Sequence, residues 1–178
     1  LAEWARAEGL PLMVHAAESP EEVAFLLRGE GPLREVYGRF AKTPWTPPGT
    51  TPVRHLHALG VLGPTTLLVH GVQVDEEEVG LLAETGTKVV LCPRSNRNLE
   101  VGEAPLALYA KHGVELALGT DSRGSSPDLD VKNEARFLWG RAEPRLLVRA
   151  LTRGGYRALG LPTPRLTRGT PLSLVHFL

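Results

Sequence analysis

Short apolar runs alternate with helical patterns along most of this 178-residue chain. Amphipathic patterns begin near residues 21, 75 and 105, and the last two end at glycines suited to a helix C-cap. Because nearly continuous apolar strands need cover on both faces, this alternation predicts an α/β fold with parallel strands. The four strand-like runs are residues 11–15 (PLMVH), 65–72 (TTLLVHGV), 87–93 (TKVVLCP) and 114–122 (VELALGTDS).

Outside these β-α units, one connection breaks the rhythm. Residues 29–52 are rich in glycine and proline yet carry Tyr37, Phe40 and Trp45, which favours an ordered lid over a flexible linker. The remaining patterns predict helices at residues 1–9, 130–139 and 145–159 and a last strand at residues 171–178 (PLSLVHFL).

The first strand is followed at once by the start of a helix. Ser19 suits an N-cap, Pro20 suits the first turn, and Glu22 stands where a capping box places its carboxylate. His15 therefore ends a strand, and Glu18 lies in the loop after it. In α/β proteins this edge of the sheet is where binding and catalytic side chains collect.

Composition narrows the classes of partner and compartment. Twenty basic side chains balance twenty acidic ones, so no net field favours nucleic acid or an anionic membrane. No apolar run approaches the ~20 residues that cross a bilayer, and no membrane partner is expected. Cys92 is the only cysteine, which excludes an internal disulfide and is compatible with a reducing, cytoplasmic location.

Three of the predicted strands deliver a polar side chain to what should be one face. His15 ends the first strand, His70 lies near the end of the second, and Asp121 ends the fourth, with Glu18 one loop step beyond His15. Imidazole and carboxylate together are the ligand set of zinc or ferrous iron, and a free carboxylate nearby can move protons. These residues predict a site for one divalent metal, with zinc favoured and iron open.

Each of these residues also has a plain structural explanation. A histidine that ends a strand is often a hydrogen-bonded structural residue, as His15 could be. Glu18 could simply favour the positive end of the following helix, and Asp121 could be a turn former. The functional interpretation depends on their occurring together at strand ends.

The other histidines and the cysteine favour structural roles. His55 and His57 spell H-x-H, but their segment reads as a helix, where residues two apart point in different directions. His112 suits a helix C-terminus, and His176 belongs to the last predicted strand. Cys92 is expected to be a small buried apolar side chain rather than a nucleophile.

A polar segment follows Cys92 on the same predicted face. RSNRN, residues 94–98, reads as a loop whose donors could bind a substrate carboxylate, ribose or ring. Arg94, Ser95 and Asn96 are therefore candidate substrate-binding residues. An ordinary capped turn is the alternative.

The order of motifs resembles a known family. HAAE, LLVHG, LCPRSNRNL, LGTDS and GTPLSLVHF are similar to the second half of amidohydrolase-superfamily metal-dependent hydrolases, in the cytosine deaminase-like and chlorohydrolase-like branch. That branch includes S-adenosylhomocysteine, methylthioadenosine and guanine deaminases. HAAESPEE and CPRSNRN are also similar to motifs of aminodeoxyfutalosine deaminases.

The resemblance implies a fold. The four strands would be the fifth to eighth of a distorted TIM-type (β/α)8 barrel, with residues 1–160 forming half of that barrel. Residues 161–178 would return to a small β-domain.

The resemblance also implies a role for each candidate residue. His15 and Asp121 would be metal ligands, and Asp121 would also accept a proton from the activated water. Glu18 would carry protons to the leaving group, and His70 would orient or polarise the attacked centre.

The implied reaction is hydrolysis of carbon–nitrogen bonds other than peptide bonds, chiefly deamination of an aminated heterocycle or nucleoside. A chlorohydrolase or cyclic-amide hydrolase with the same site is the alternative.

One element of the family pattern is missing. Members carry H-x-H on the first barrel strand, and this chain has no H-x-H in a strand pattern. We therefore expect a fragment that acts with an N-terminal half of the same protein on a small-molecule substrate, and a homo-oligomer is compatible with this. A non-catalytic half-barrel subunit is the alternative from another class.

Overall fold

The computed structural model describes residues 1–41, 43–163 and 168. Its strands are β1 (Leu12–Ala16), β2 (Thr66–His70), β3 (Lys88–Leu91) and β4 (Leu116–Leu118). Its helices are α1 (Ala2–Ala7), α2 (Pro20–Arg28), α3 (Pro32–Phe40), α4 (Pro52–Ala58), α5 (Glu76–Thr85), α6 (Pro93–Asn98), α7 (Leu106–His112), α8 (Val131–Phe137), α9 (Pro144–Arg149) and α10 (Gly155–Ala158). A π-helical turn, Ala150–Gly154, joins the last two helices.

The four strands form one parallel sheet in the order β1-β2-β3-β4. Each strand overlaps the apolar run that predicts it, and helices connect successive strands, so the predicted α/β class with a parallel sheet is confirmed. The predicted strand at residues 171–178, which contains His176, lies outside the described residues.

The two faces of the sheet are packed differently. On one face Leu68, Val89 and Leu116 join the main core, which the flanking helices complete with residues such as Val79 and Tyr109. Each fully buried leucine or valine contributes roughly 1.5–3 kcal/mol relative to exposure. On the other face a smaller cluster brings together Leu67, Val90, Ala117 and Ala158. Near-continuous apolar strands are what this two-sided cover requires.

Strand β1 is the exception to this burial. Its residues alternate, and Met13 is 52% exposed while His15 beside it on the same face is also exposed. The register pairs Met13 with Leu67 and His15 with Val69, so these side chains lie on the face of the smaller cluster. Among the residues that the structure describes, this face of the sheet is covered near β4 and exposed near β1.

Helix starts follow the expected capping chemistry. The Ser19 side chain accepts a hydrogen bond from the Glu22 N–H, and Pro20 opens α2, as the sequence predicts. At α5 a full capping box forms, because Asp75 and Glu78 each accept from the other's backbone N–H.

Among the described residues, no helix is both long enough and apolar enough to cross a bilayer.

The segment at residues 29–52 contains a helix that its glycine- and proline-rich composition does not predict. Helix α3 occupies much of it, and Trp45 stacks on Phe25 of α2 with ring centroids 4.2 Å apart. Tyr37 lies against the same pair, whereas Phe40 is 79% exposed. The expected aromatic order is therefore present in Tyr37 and Trp45, and a role as a lid stays a prediction.

Gly154 lies where the π-helical turn touches the backbone of β4. A Cβ atom at Gly154 would overlap the Leu116 carbonyl oxygen, whereas one at the adjacent Gly155 would meet open space. The helix can approach the strand this closely only because position 154 has no side chain.

We expect Gly154→Ala to lower the free energy of unfolding by about 1–3 kcal/mol, because the added methyl group must push the helix from the strand. Gly155→Ala is the matched control, and it should be neutral or stabilise by up to about 1 kcal/mol. Urea unfolding of the intact protein measures both. Equal effects of the two changes would contradict the close approach.

Candidate functional site

Three predicted site residues converge at the carboxyl edge of the sheet. Glu18 follows β1, His70 ends β2 and Asp121 follows β4. One side-chain ligand atom from each lies within 4.8 Å of those of the other two. Side-chain donors this close together are compatible with binding of a single metal ion.

Unusual backbone conformations mark the same edge. Ala17, His70 and Asp121 have φ values of 53°, 75° and 59°, in the left-handed region that side chains other than glycine rarely adopt. Such conformations persist only where the surroundings impose them, and they concentrate at functional sites. Here they turn the chain sharply where each strand ends.

Backbone hydrogen bonds lock the ends of β1 and β2 together. The Ala16 carbonyl accepts from the Gly71 N–H at 3.2 Å, and the Ala17 carbonyl accepts from Val72 and Gln73 at 2.7 and 2.8 Å. This pairing holds the loop that carries Glu18 beside His70.

Glu22 supports that loop in a way that the sequence pattern does not indicate. Its carboxylate accepts from the Ala17 and Glu18 N–H groups at 3.0 and 2.8 Å. The predicted capping box would instead bring this carboxylate to the Ser19 N–H, so that expectation is wrong in its partner. Burial raises the pKa of Glu22, although the two backbone bonds act in the opposite direction. Glu22 thus anchors the backbone at Glu18.

His70 is buried and only half satisfied. Its imidazole is 0% exposed, and Nδ1 lies 2.8 Å from the Asn96 Oδ1 atom. The other ring nitrogen, Nε2, has no hydrogen-bond partner among the described residues and lies 3.5 Å from Glu18 Oε1. Buried polar atoms are nearly always paired, so an orphaned imidazole nitrogen that faces carboxylates indicates a binding position for a cation or a proton.

Asp121 is held as a carboxylate by hydroxyl donors. Its Oδ2 atom accepts from Ser95 at 2.7 Å and from Ser125 at 2.8 Å. Burial alone raises the pKa of Asp121, but these two bonds and one from the Ser122 backbone outweigh burial and lower it. Asp121 therefore carries a negative charge at neutral pH.

His15 lies beside this cluster rather than within it. Its ring centroid is 5.4 Å from that of His70, with the ring planes inclined at 41°. The imidazole is exposed. Its role as a metal ligand stays a prediction.

The expected polar loop after Cys92 is a helix instead. Residues 93–98 form α6, and both carboxylate oxygens of Asp128 accept from the Arg94 guanidinium at 2.9 and 2.7 Å. That guanidinium holds the pKa of Asp128 below its usual range. The Arg94 N–H donates to the buried Glu134 at 3.0 Å. These tertiary bonds stabilise a helix that its serine and asparagine content disfavours.

The three candidate substrate-binding residues all have intramolecular partners. Arg94 pairs with Asp128, Ser95 donates to Asp121, and Asn96 contacts His70. Their contacts with a substrate stay a prediction. Ser125 joins the same network and is absent from the sequence prediction, although its place four residues after Asp121 in a serine-rich turn is an available signal.

A family comparison decides the classification. The model of the amidohydrolase family matches residues 1–177 of the 178. The chain belongs to the amidohydrolase family. The predicted family resemblance is thus confirmed.

Individual relatives sharpen this classification. The amidohydrolase chain is 43% identical over 185 residues to the aminodeoxyfutalosine deaminase of Deinococcus radiodurans, covering 95% of this chain and 43% of that protein. It is 34% identical over 185 residues to the 5-methylthioadenosine/S-adenosylhomocysteine deaminase of Halobacterium salinarum, covering 97% of this chain and 39% of that protein. The chain therefore spans about two fifths of the length of these relatives.

Solved structures share the fold. A zinc-bound adenosine deaminase from Xanthomonas campestris matches with a TM-score of 0.70 and 30% identity, over 89% of this chain and 34% of that one. Zinc-bound atrazine chlorohydrolase from Arthrobacter aurescens matches with a TM-score of 0.70 and 23% identity, over 90% of this chain and 34% of that one. The second likeness concerns the fold alone.

Three other histidines of this amidohydrolase chain lie on helices, as the sequence predicts. His55 and His57 lie on α4, and His112 lies in the last turn of α7 with Nε2 3.1 Å from Glu76. Cys92 is buried, and its burial, together with the nearby Asp121 and Glu134 carboxylates, raises the pKa of the thiol to about 12.

We expect Cys92 to resist alkylation in the native protein. Its thiolate population is negligible at pH 8 because the thiol pKa lies far above that value. Iodoacetamide labelling followed by mass spectrometry should show slow modification of the native protein and rapid modification in urea. Rapid labelling of the folded protein would contradict the burial.

Proposed function

We propose that this amidohydrolase is a metal-dependent hydrolase of carbon–nitrogen bonds other than peptide bonds, and that it deaminates an aminated heterocycle or nucleoside hydrolytically. The observation that carries the proposal is the cluster of Glu18, His70 and Asp121, with its orphaned buried imidazole nitrogen. The deaminases among its relatives support the reaction class.

The donor atoms of the site fit a divalent cation. The His70 Nε2 atom and the carboxylates of Glu18 and Asp121 are acceptors that face one another, and a cation between them would relieve the conflict. We infer that His15 and Asp121 hold the ion and that His70 Nε2 offers a further donor. Nitrogen and carboxylate donors suit zinc, with ferrous iron as the second choice. Such an ion would supply an electrophilic centre that acidifies water near neutral pH.

The proton chemistry follows from exposure and charge. The reaction adds a water oxygen to the ring carbon and breaks its bond to the amino nitrogen, which leaves as ammonia. Asp121, held ionised by its serine donors, accepts the first proton from water at a carboxylate oxygen. Glu18, whose side chain is 29% exposed, takes the second proton of the water and delivers it to the leaving nitrogen. The proton held by Asp121 passes to the neighbouring ring nitrogen, so ammonia and a ring carbonyl form and both carboxylates are regenerated.

The barrel is part of the proposal. We infer that β1 to β4 are the fifth to eighth strands of a (β/α)8 barrel and that residues 161–178 belong to a small β-domain. The all-parallel sheet and its openness near Met13 and His15 support this placement. An N-terminal half of the same protein would then cover that face and add the H-x-H ligands.

The substrate class follows the relatives. Aminodeoxyfutalosine, 5-methylthioadenosine and S-adenosylhomocysteine appear in their names, and we propose a nucleoside of this kind as the substrate. The orphaned nitrogen and the strained backbone at His70 favour this activity over a non-catalytic half-barrel subunit. A panel of these three nucleosides and adenosine, assayed for ammonia release, tests the class. Release from none of them would count against it.

We expect Glu18→Gln to retain the metal and to lower kcat about 10²–10⁴-fold, because glutamine cannot carry the proton. Metal content by mass spectrometry and the rate of ammonia release are the measurements. A variant that turns over normally would remove Glu18 from proton transfer.

We expect Asp121→Ala to lose both metal and turnover, because it removes the carboxylate that faces His70 Nε2. Replacing His55 and His57 together by alanine is the control, since α4 holds them apart from the cluster. The control should keep the wild-type metal content. Loss of metal from the control, with retention in Asp121→Ala, would place the ion elsewhere.

A further inference from the structure

Asn96 stands behind His70, on the side away from the carboxylates. Its Oδ1 atom lies 2.8 Å from His70 Nδ1, and both residues are buried, with Asn96 1% exposed and His70 0% exposed. An amide oxygen can only accept a hydrogen bond, so this orientation of the Asn96 amide places the proton of the contact on Nδ1. In a neutral imidazole the lone pair is then left on Nε2.

The position of the proton decides what the other ring nitrogen of His70, Nε2, can offer to the site. Nε2 faces Glu18 Oε1 at 3.5 Å, and it has no hydrogen-bond partner among the residues that the structure describes. A lone pair directed there can bind a cation or accept a proton from water or substrate. With the proton on Nε2 instead, His70 would only donate to Glu18 and would offer no lone pair to the site.

The backbone makes Asn96 a firm support. Its N–H donates to the Cys92 carbonyl at 2.9 Å, and its carbonyl accepts from the Val101 N–H at 3.1 Å. The preceding residue, Ser95, donates to Asp121. One turn of α6 therefore supports two of the three clustered side chains from adjacent positions.

We propose that Asn96 is a positioning residue that fixes His70 in the Nδ1–H tautomer and so presents the Nε2 lone pair to the site. This role is different from the substrate contact that the sequence pattern predicts for Asn96. The effect on turnover rests on the proposed function, whereas the tautomer itself does not.

The test is a measurement of the His70 tautomer by ¹⁵N NMR. The intact protein is labelled at histidine, and the His70 signals are assigned by their loss in His70→Gln. Long-range nitrogen–proton spectra, with and without a chelator, should show Nδ1 protonated and Nε2 unprotonated in the wild type. Protonation at Nε2 in the chelator-treated wild type would overturn the proposal.

Three variants separate positioning from mere packing. Asn96→Leu keeps the volume but removes the acceptor, so His70 should show a mixture of tautomers and kcat should fall about 10–100-fold, as is typical for supporting residues. Asn96→Asp keeps an oxygen acceptor, so it should retain the Nδ1–H tautomer. Asn98→Leu makes the same change at an exposed position of α6 and should leave the His70 tautomer unchanged.

The outcomes separate this inference from the proposed function. An unchanged tautomer in Asn96→Leu, or a tautomer lost equally in Asn96→Asp, would overturn the positioning role. If Asn96→Leu fails to fold, the wild-type and Asn96→Asp spectra still decide. A fixed Nδ1–H tautomer in a protein that deaminates none of the nucleosides would uphold the role of Asn96 while the proposed reaction fails.

Discussion

The register of β1 on β2 is the constraint on which the candidate site depends. Ala16 lies opposite His70, and the Ala17 carbonyl accepts two N–H groups from the chain just beyond β2. The approach of Glu18 to His70 follows from this pairing, because the segments after β1 and β2 both turn at paired positions of the two strands. A slip of one residue would send the side chains of β1 to opposite faces and would carry His15 away from the site.

The residues with left-handed backbone conformation at this edge lower the stability of the fold. Each such conformation costs on the order of 1–3 kcal/mol, and three occur where β1, β2 and β4 end. The buried Tyr109 hydroxyl stabilises the turn after His70, because it donates a hydrogen bond to the Gly71 carbonyl at 2.5 Å. Tyr109 belongs to the main core. Packing of the apolar core therefore supports the strained backbone at the carboxyl edge of the sheet. Part of the free energy gained by packing the core thus offsets the cost of holding the site residues in these conformations.

How much of this fold and site the sequence predicts depends on whether the signal is local. Strand ends are local signals, so the sequence alone places Glu18, His70 and Asp121 at one edge of the sheet. The helix at Pro32–Phe40 is hidden because glycine and proline punctuate it, and its packing uses Trp45 from a later part of the chain. The sequence pattern assigns Asn96 to substrate because nothing near it in sequence reveals that His70, 26 residues away, is its partner.

Helix α6 shows why tertiary contacts decide what local propensity cannot. Six residues rich in serine and asparagine would not form a stable helix alone. The segment is helical because Asp128 and the buried Glu134 bind Arg94, the residue before Ser95 and Asn96. Asp128 belongs to the chain that follows Asp121, so the segment that delivers one site residue also fixes the helix that supports it. His70 and Asp121 are consequently not placed independently, since any shift of α6 moves the hydrogen-bond partners of both.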